Sequence, residues 1–129
     1  MPKTFYKPAG QPLFTPHNKP QSDCLIKQLL ADDPWRAEID WPNGFEAGIA
    51  HRLDNDTSGA ILVADNLGEL AILREWFESH KLSKTYLFKT TGTVTWDQNT
   101  CDKALAHDKT RRSRMVVQRG RNTPHRGKW

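Results

Sequence analysis

The sequence predicts an α+β domain with a mixed, mostly antiparallel sheet and packed helices. Three observations lead there. Strand-like and helix-like stretches alternate along the chain, no glycine-rich nucleotide loop joins a strand to a helix, and 129 residues suffice for one domain. A chain of this size buries about two-thirds of the surface its unfolded form exposes. With 36% hydrophobic residues, a modest core and long polar loops are expected.

The elements follow in order. Thr4 to Lys7 reads as a short strand and Pro8 to Gly10 as a turn. Four prolines in "FYKPAGQPLFTPHNKPQ" then exclude a regular helix. Ser22 or Asp23 can cap a helix in which Leu25, Ile26, Leu29 and Leu30 recur at helical spacing. Pro34 ends it. Residues 32–48 form a loop that Trp35 and Trp41 pin to the core. "GIAHRL", 48–53, reads as a strand entering a turn, and "AILVA", 60–64, as a buried strand leaving it. Asn66 caps a helix with Glu69 three residues on, and Leu70, Leu73, Trp76 and Phe77 supply its apolar face as far as His80. "SKTYLFKTTGTV", 83–94, alternates and is rich in β-formers, so a strand is expected, with Gly92 at a bulge or its end. "SRMVVQ", 113–118, is a weaker strand.

No apolar run approaches the 18 or so residues of a spanning helix, and "MPKTFYKPAG" lacks the apolar segment of a signal peptide. A cytoplasmic protein without a membrane partner is expected. Cys24 and Cys101 form no C-x-x-C pair and read as buried free thiols.

The net charge of +4 is unevenly distributed. Residues 1–108 carry 11 Lys and Arg against 15 Asp and Glu, whereas 109–129 carry 8 Lys and Arg and no acid. The chain therefore reads as a single domain over 1–129 in which 109–129 is a basic, flexible tail. Such a tail suits a phosphate backbone or is simply a solvated end.

"HRLDNDTSG", His51 to Gly59, is the densest cluster of chemistry. In an extended chain Arg52 and Asp54 share a face, while His51 and Leu53 share the other. Thr57, Ser58 and Gly59 then make a turn, where short hydroxyls bond local backbone. A carboxylate so placed can serve as nucleophile or base, and the neighbouring guanidinium favours its charged form or binds a phosphate. Other readings remain. His51, Asp54 and Asp56 could hold a metal, although alternation puts His51 on the wrong face and no H-E-x-x-H or Cys/His cluster accompanies them. Ser58 could head a triad, although no G-x-S-x-G elbow surrounds it. A surface Arg–Asp pair is the plain structural alternative.

This stretch resembles the H-R-L-D-x-x-T-S-G signature of the RluA-type RNA pseudouridine synthases. "YKPAG" resembles that family's early K-P-x-G turn, "SKTYLF" its later K-x-Y strand, and "RRSRMVV" more weakly a basic segment before the next strand. The resemblance spans roughly residues 5 to 117 and implies a pseudouridine-synthase-like catalytic domain. By it, Asp54 matches the catalytic aspartate, Arg52 the arginine that helps displace the target nucleotide, and Tyr86 the tyrosine that packs on the uracil. His51, Thr57, Ser58, Lys84, Arg111, Arg112 and Arg114 are expected to contact RNA. The implied reaction is isomerisation of uridine to pseudouridine in structured RNA, tRNA or rRNA, without metal or organic cofactor. The base must first leave its stack, at a cost of a few kcal/mol that an aromatic ring partly offsets.

The family's later G-R-x-H-Q-I-R-like segment has no counterpart in "GRNTPHRGKW". The resemblance therefore implies a domain incomplete at its C-terminus, with self-association through the unfinished sheet as a consequence. A non-catalytic RNA-binding remnant or fragment is the alternative, its binding carried by Arg111, Arg112, Arg114, Arg119, Arg121 and Arg126.

Overall fold

Strand β1 (Lys3–Lys7) and strand β2 (Gly59–Val63) form an antiparallel ladder, with Lys3 opposite Val63 and Lys7 opposite Gly59. The structure, a computed structural model, describes residues 1–111 and 113–117. It divides into two units, Met1–Thr85 and Tyr86–Trp129. Each combines with the α+β class differently: helices and one ladder in the first, a single antiparallel hairpin in the second.

In the first unit, β2 is the middle lane. On its far side Ile49 bridges Val63, the amide of Ala50 donates to Leu62 O (3.0 Å), and the amide of Ala64 donates to Gly48 O (2.8 Å). The expected strand over 48–53 thus shrinks to one bridge. Its next ladder bond would run from Leu62 N–H to the carbonyl of Ala50. Leu62 N–H instead donates to His51 Nε2 (3.0 Å), and the chain leaves the sheet there.

Alternation along β2 sorts two cores. Ile61 and Val63 are fully buried with Leu13, Ile49 and the Leu25 and Leu29 face of helix α1 (Leu25–Asp32). Leu62 turns the other way, toward Ala50, Ala64 and the Leu70 and Leu73 face of helix α2 (Leu67–Glu78). Each large aliphatic side chain buried this way contributes about 1.5–3 kcal/mol.

The helix ends follow local chemistry. Asn66 Oδ1 accepts from the amide of Glu69 (2.9 Å), as its spacing predicts. Glu69 Oε2 accepts from Asp65 N (2.9 Å), so the reciprocal bond falls one residue before the cap. Helix α1 is capped by Cys24 without a side-chain bond, one residue after Asp23 and two after Ser22, while Asp23 Oδ1 accepts from the Cys24 amide (2.9 Å).

The loop after α1 contains two short 3-10 turns, Pro34–Glu38 and Glu46–Gly48. Its anchor is Arg36, a fully buried guanidinium. Arg36 donates to Ala47 O (3.1 Å), Ala64 O (2.6 Å) and Asp33 (3.1 Å), and pairs with Asp65. Trp41 Nε1 donates to Arg36 O (2.8 Å), and the ring of Trp35 lies 4.4 Å from the guanidinium carbon. The tryptophans do pin this loop, but through a buried cation that they help enclose. Gly48 follows at φ +86°, where a Cβ would fall 2.3 Å from Ala64 O.

In the second unit, β3 (Leu105–His107) pairs antiparallel with β4 (Met115–Val117), Leu105 opposite Val117. β4 lies inside the expected 113–118 strand. The expected strand over 83–94 does not form: the segment has no ladder partner among the described residues, and Tyr86, Leu87 and Phe88 are exposed. Alternation specifies two faces, whereas a strand also needs a neighbour to take its backbone bonds. Cys24 is buried as expected, but Cys101 is exposed. Its polar neighbourhood, Gln98 to Lys103, supplies no apolar surface to cover it. No helix of the described residues is long and apolar enough to cross a membrane. Most of the basic tail, Arg112 and 118–129, lies outside the described residues.

Candidate active site

The His51–Gly59 segment bridges from the aborted third lane back into β2. No ladder continues beyond His51, but exposure still alternates: Arg52 and Asp54 are exposed, His51 and Leu53 half-buried. No ion pair joins the two among the described residues. The Arg52 guanidinium instead lies 5.8 Å from the ring centre of Phe14, which the proline-rich loop brings alongside. Asp54 is exposed, and its carbonyl accepts from the amide of Thr57 (3.1 Å), closing a turn over Asp54–Thr57. Asp56 and Ser58 are exposed and Thr57 half-buried.

Three contacts hold this segment. Lys7, at the end of β1, is fully buried and donates from Nζ to Thr57 O (2.8 Å), Asn55 O (2.9 Å) and Pro8 O (3.0 Å). The amide of Gly10 donates to Asn55 O (2.7 Å), so the K-P-x-G turn and the His51–Gly59 motif are tied directly. Leu53 packs into the core shared with α1. Next to it Gly59 adopts φ +151°, a conformation open to glycine. Burial pulls the Lys7 ammonium below its ordinary value, while the carboxylates of Asp56 and then Asp54 oppose that shift. A positive charge thus lies beneath a rim that carries two carboxylates.

His51, expected among the RNA contacts, is half-buried with Nε2 engaged by Leu62. Its ring sits 4.9 Å from that of Phe77, and Lys84 Nζ lies 5.0 Å from the same Phe77 ring. Burial lowers the His51 pKa most, the Lys84 ammonium lowers it further, and a backbone contact at Arg52 works against both. Lys84 itself is exposed.

The remaining predicted residues belong to the second unit. Tyr86 is exposed. Arg111 and Arg114 are exposed in the β3–β4 turn, where Arg114 N donates to Arg111 O (2.8 Å). Asp108 Oδ1 organises that turn by accepting from the Thr110 amide and hydroxyl (both 2.8 Å). Arg112 lies outside the described residues. Among them, no group of three His, Cys, Asp or Glu side chains is placed to hold a metal ion.

Two structural residues escaped the sequence reading. Lys7 could have been found by parity, since it shares a strand face with the half-buried Phe5. Arg36 offered no comparable signal, because its partners come from α1, the 3-10 turn and the end of β2.

Residues 4–127 match the family described as RNA pseudouridylate synthase. The chain belongs to this family. It is the family that the His51–Gly59 motif resembles. Ribosomal large subunit pseudouridine synthase D of Xanthomonas campestris is 31% identical over 111 residues, 86% of this chain and 31% of the relative. The protein of the same name from Pseudomonas aeruginosa is 32% identical over 111 residues, 86% of this chain and 32% of its own length. The chloroplastic RNA pseudouridine synthase 2 of Arabidopsis thaliana is 34% identical over 70 residues, 54% of this chain and 16% of its own. The chain spans about a third or less of the length of the curated relatives it matches.

Proposed function

We propose that this chain is an RNA pseudouridine synthase that isomerises uridine to pseudouridine in structured RNA, with Asp54 as its catalytic residue. The N1–C1′ bond breaks, the uracil turns, and C5 bonds to C1′. The proton on C5 leaves and N1 takes one, so the atoms balance without a metal or organic cofactor. Asp54 either attacks C1′ or removes the 2′ proton. The observation that carries this reading is an exposed carboxylate on a loop immobilised from below by Lys7 and at its start by His51.

Arg52, exposed beside Phe14, is free to enter the space an extruded nucleotide vacates. Tyr86 would stack on the uracil, a contact worth about 1–3 kcal/mol per base. Thr57, Ser58, Lys84, Arg111, Arg112 and Arg114 supply contacts to the RNA backbone. Two relatives are named for the large ribosomal subunit, which favours rRNA over tRNA as substrate. A cytoplasmic location and self-association belong to the same reading.

Mass spectrometry of RNA treated with the purified chain tests it. Wild type should convert uridine to pseudouridine and release tritium from C5-labelled uridine, while Asp54→Asn, folded, should do neither. Salt-sensitive RNA binding without conversion would instead identify a non-catalytic RNA-binding module.

A further inference from the structure

We propose that His51 is a positioning residue: as a neutral imidazole with its proton on Nδ1, it ends the third lane of the sheet by taking the bond of Leu62 N–H, and so sets where Arg52 and Asp54 emerge. The inference rests on the function proposed for Asp54, but its structural half stands without that function. Leu62 N–H is a donor, so the nitrogen that receives it, Nε2 at 3.0 Å, must carry a lone pair. That assigns the ring proton to Nδ1 and excludes the imidazolium, in which both nitrogens donate.

The surroundings disfavour the charged ring, while Nδ1 is buried with no hydrogen-bond partner among the described residues. The ring is packed against Phe77 at 4.9 Å. Among the described residues, the charged group that acts on it is the Lys84 ammonium, from the segment after α2, and the backbone at Arg52 opposes it. The neighbouring cation and the burial both penalise a charged ring. A main-chain carbonyl could fill the same ladder position, but the strand would then continue in plane. An imidazole fills it from the side, which lets the backbone turn out three residues before Asp54.

Protonation makes the device reversible. An imidazolium would aim Nε2–H at Leu62 N–H, two donors face to face, and the start of the motif would come loose from β2. Activity should therefore be lost on the acid side as His51 titrates, with the loss in kcat rather than in RNA affinity.

Nitrogen NMR of the wild-type chain labelled in histidine decides the structural half. At neutral pH, Nε2 of His51 should show the shift of a bare ring nitrogen coupled to the Leu62 amide; a proton on Nε2 would overturn the proposal. His51→Gln, whose amide oxygen can accept from Leu62 and does not titrate, should keep kcat within about threefold and lose the acid limb. His51→Phe keeps a ring but no acceptor, and should lower kcat at least about tenfold with KM within about twofold. A folded His51→Phe chain with wild-type kcat sinks the inference. If the wild type converts no uridine, the function proposed above fails, and the NMR result still decides the role of His51.

Discussion

Lys7 Nζ donates to the carbonyl of Thr57 at 2.8 Å, tying the end of β1 to a residue 50 positions further along the chain. With Asn55 O at 2.9 Å, this one ammonium satisfies two carbonyls of the loop that carries Asp54. Lys7→Met should destabilise the fold by about 2–4 kcal/mol in urea unfolding, since it removes a charged donor that makes three hydrogen bonds. The same variant should lower uridine conversion more than RNA binding. A Lys7→Met chain as stable as wild type would show that the loop holds itself.

Arg36 is a second internal cation, and its loss should be costlier. Arg36→Met leaves Asp33, Asp65 and the carbonyls of Ala47 and Ala64 without their shared donor. About 3–5 kcal/mol of destabilisation is expected, with faster proteolysis between Asp33 and Gly48. Limited proteolysis read by mass spectrometry checks where the chain opens first.

Gly48 tolerates no side chain. At φ +86°, with Ala64 O at 2.3 Å from the site of a Cβ, Gly48→Ala must push apart the segment and β2. The melting temperature should fall by more than at Gly10, where nothing lies within 4 Å of a built Cβ despite a similar φ of +84°. That pairing separates steric contact from backbone strain.

Acid should weaken the first unit through His51. Its folded pKa lies below the unfolded value of about 6.5, so the unfolded chain takes up the proton first. The stability it supports is complete above about pH 6.5 and declines as pH falls from there toward the lower folded value. Urea midpoints measured across that range should drop for wild type and drop less for His51→Gln. Equal slopes for the two proteins would mean the ring is not responsible.

Asn66→Ala removes the acceptor at the start of α2 and should cost about 1 kcal/mol. Asn66→Asp should retain most of it. Thermal unfolding by circular dichroism is sufficient to tell them apart.

What could be read from the sequence was whatever depends on neighbours in the chain. β1, β2, both helices and the Asn66 cap come from local periodicity and spacing. β4 was recognisable for the same reason. The segment 83–94 misled because its Thr, Tyr and Phe content states a preference, and a preference does not supply a partner strand. Lys7 and Arg36 act across 50 and 28 positions; strand parity with Phe5 places Lys7 on the inner face, but nothing local announces that Arg36 will be drawn inside. The family was legible because membership is written in residue type and order, which folding does not alter.

The His51–Gly59 segment is fastened at both ends, one through the imidazole on Leu62 of β2 and the other where Gly59 opens β2 opposite Lys7 of β1. The count of residues between those fasteners is consequently a mechanical dimension, like the span of an arch between fixed piers. Adding or deleting one amino acid there would tilt the crown that carries Asp54, even if every individual side chain were kept.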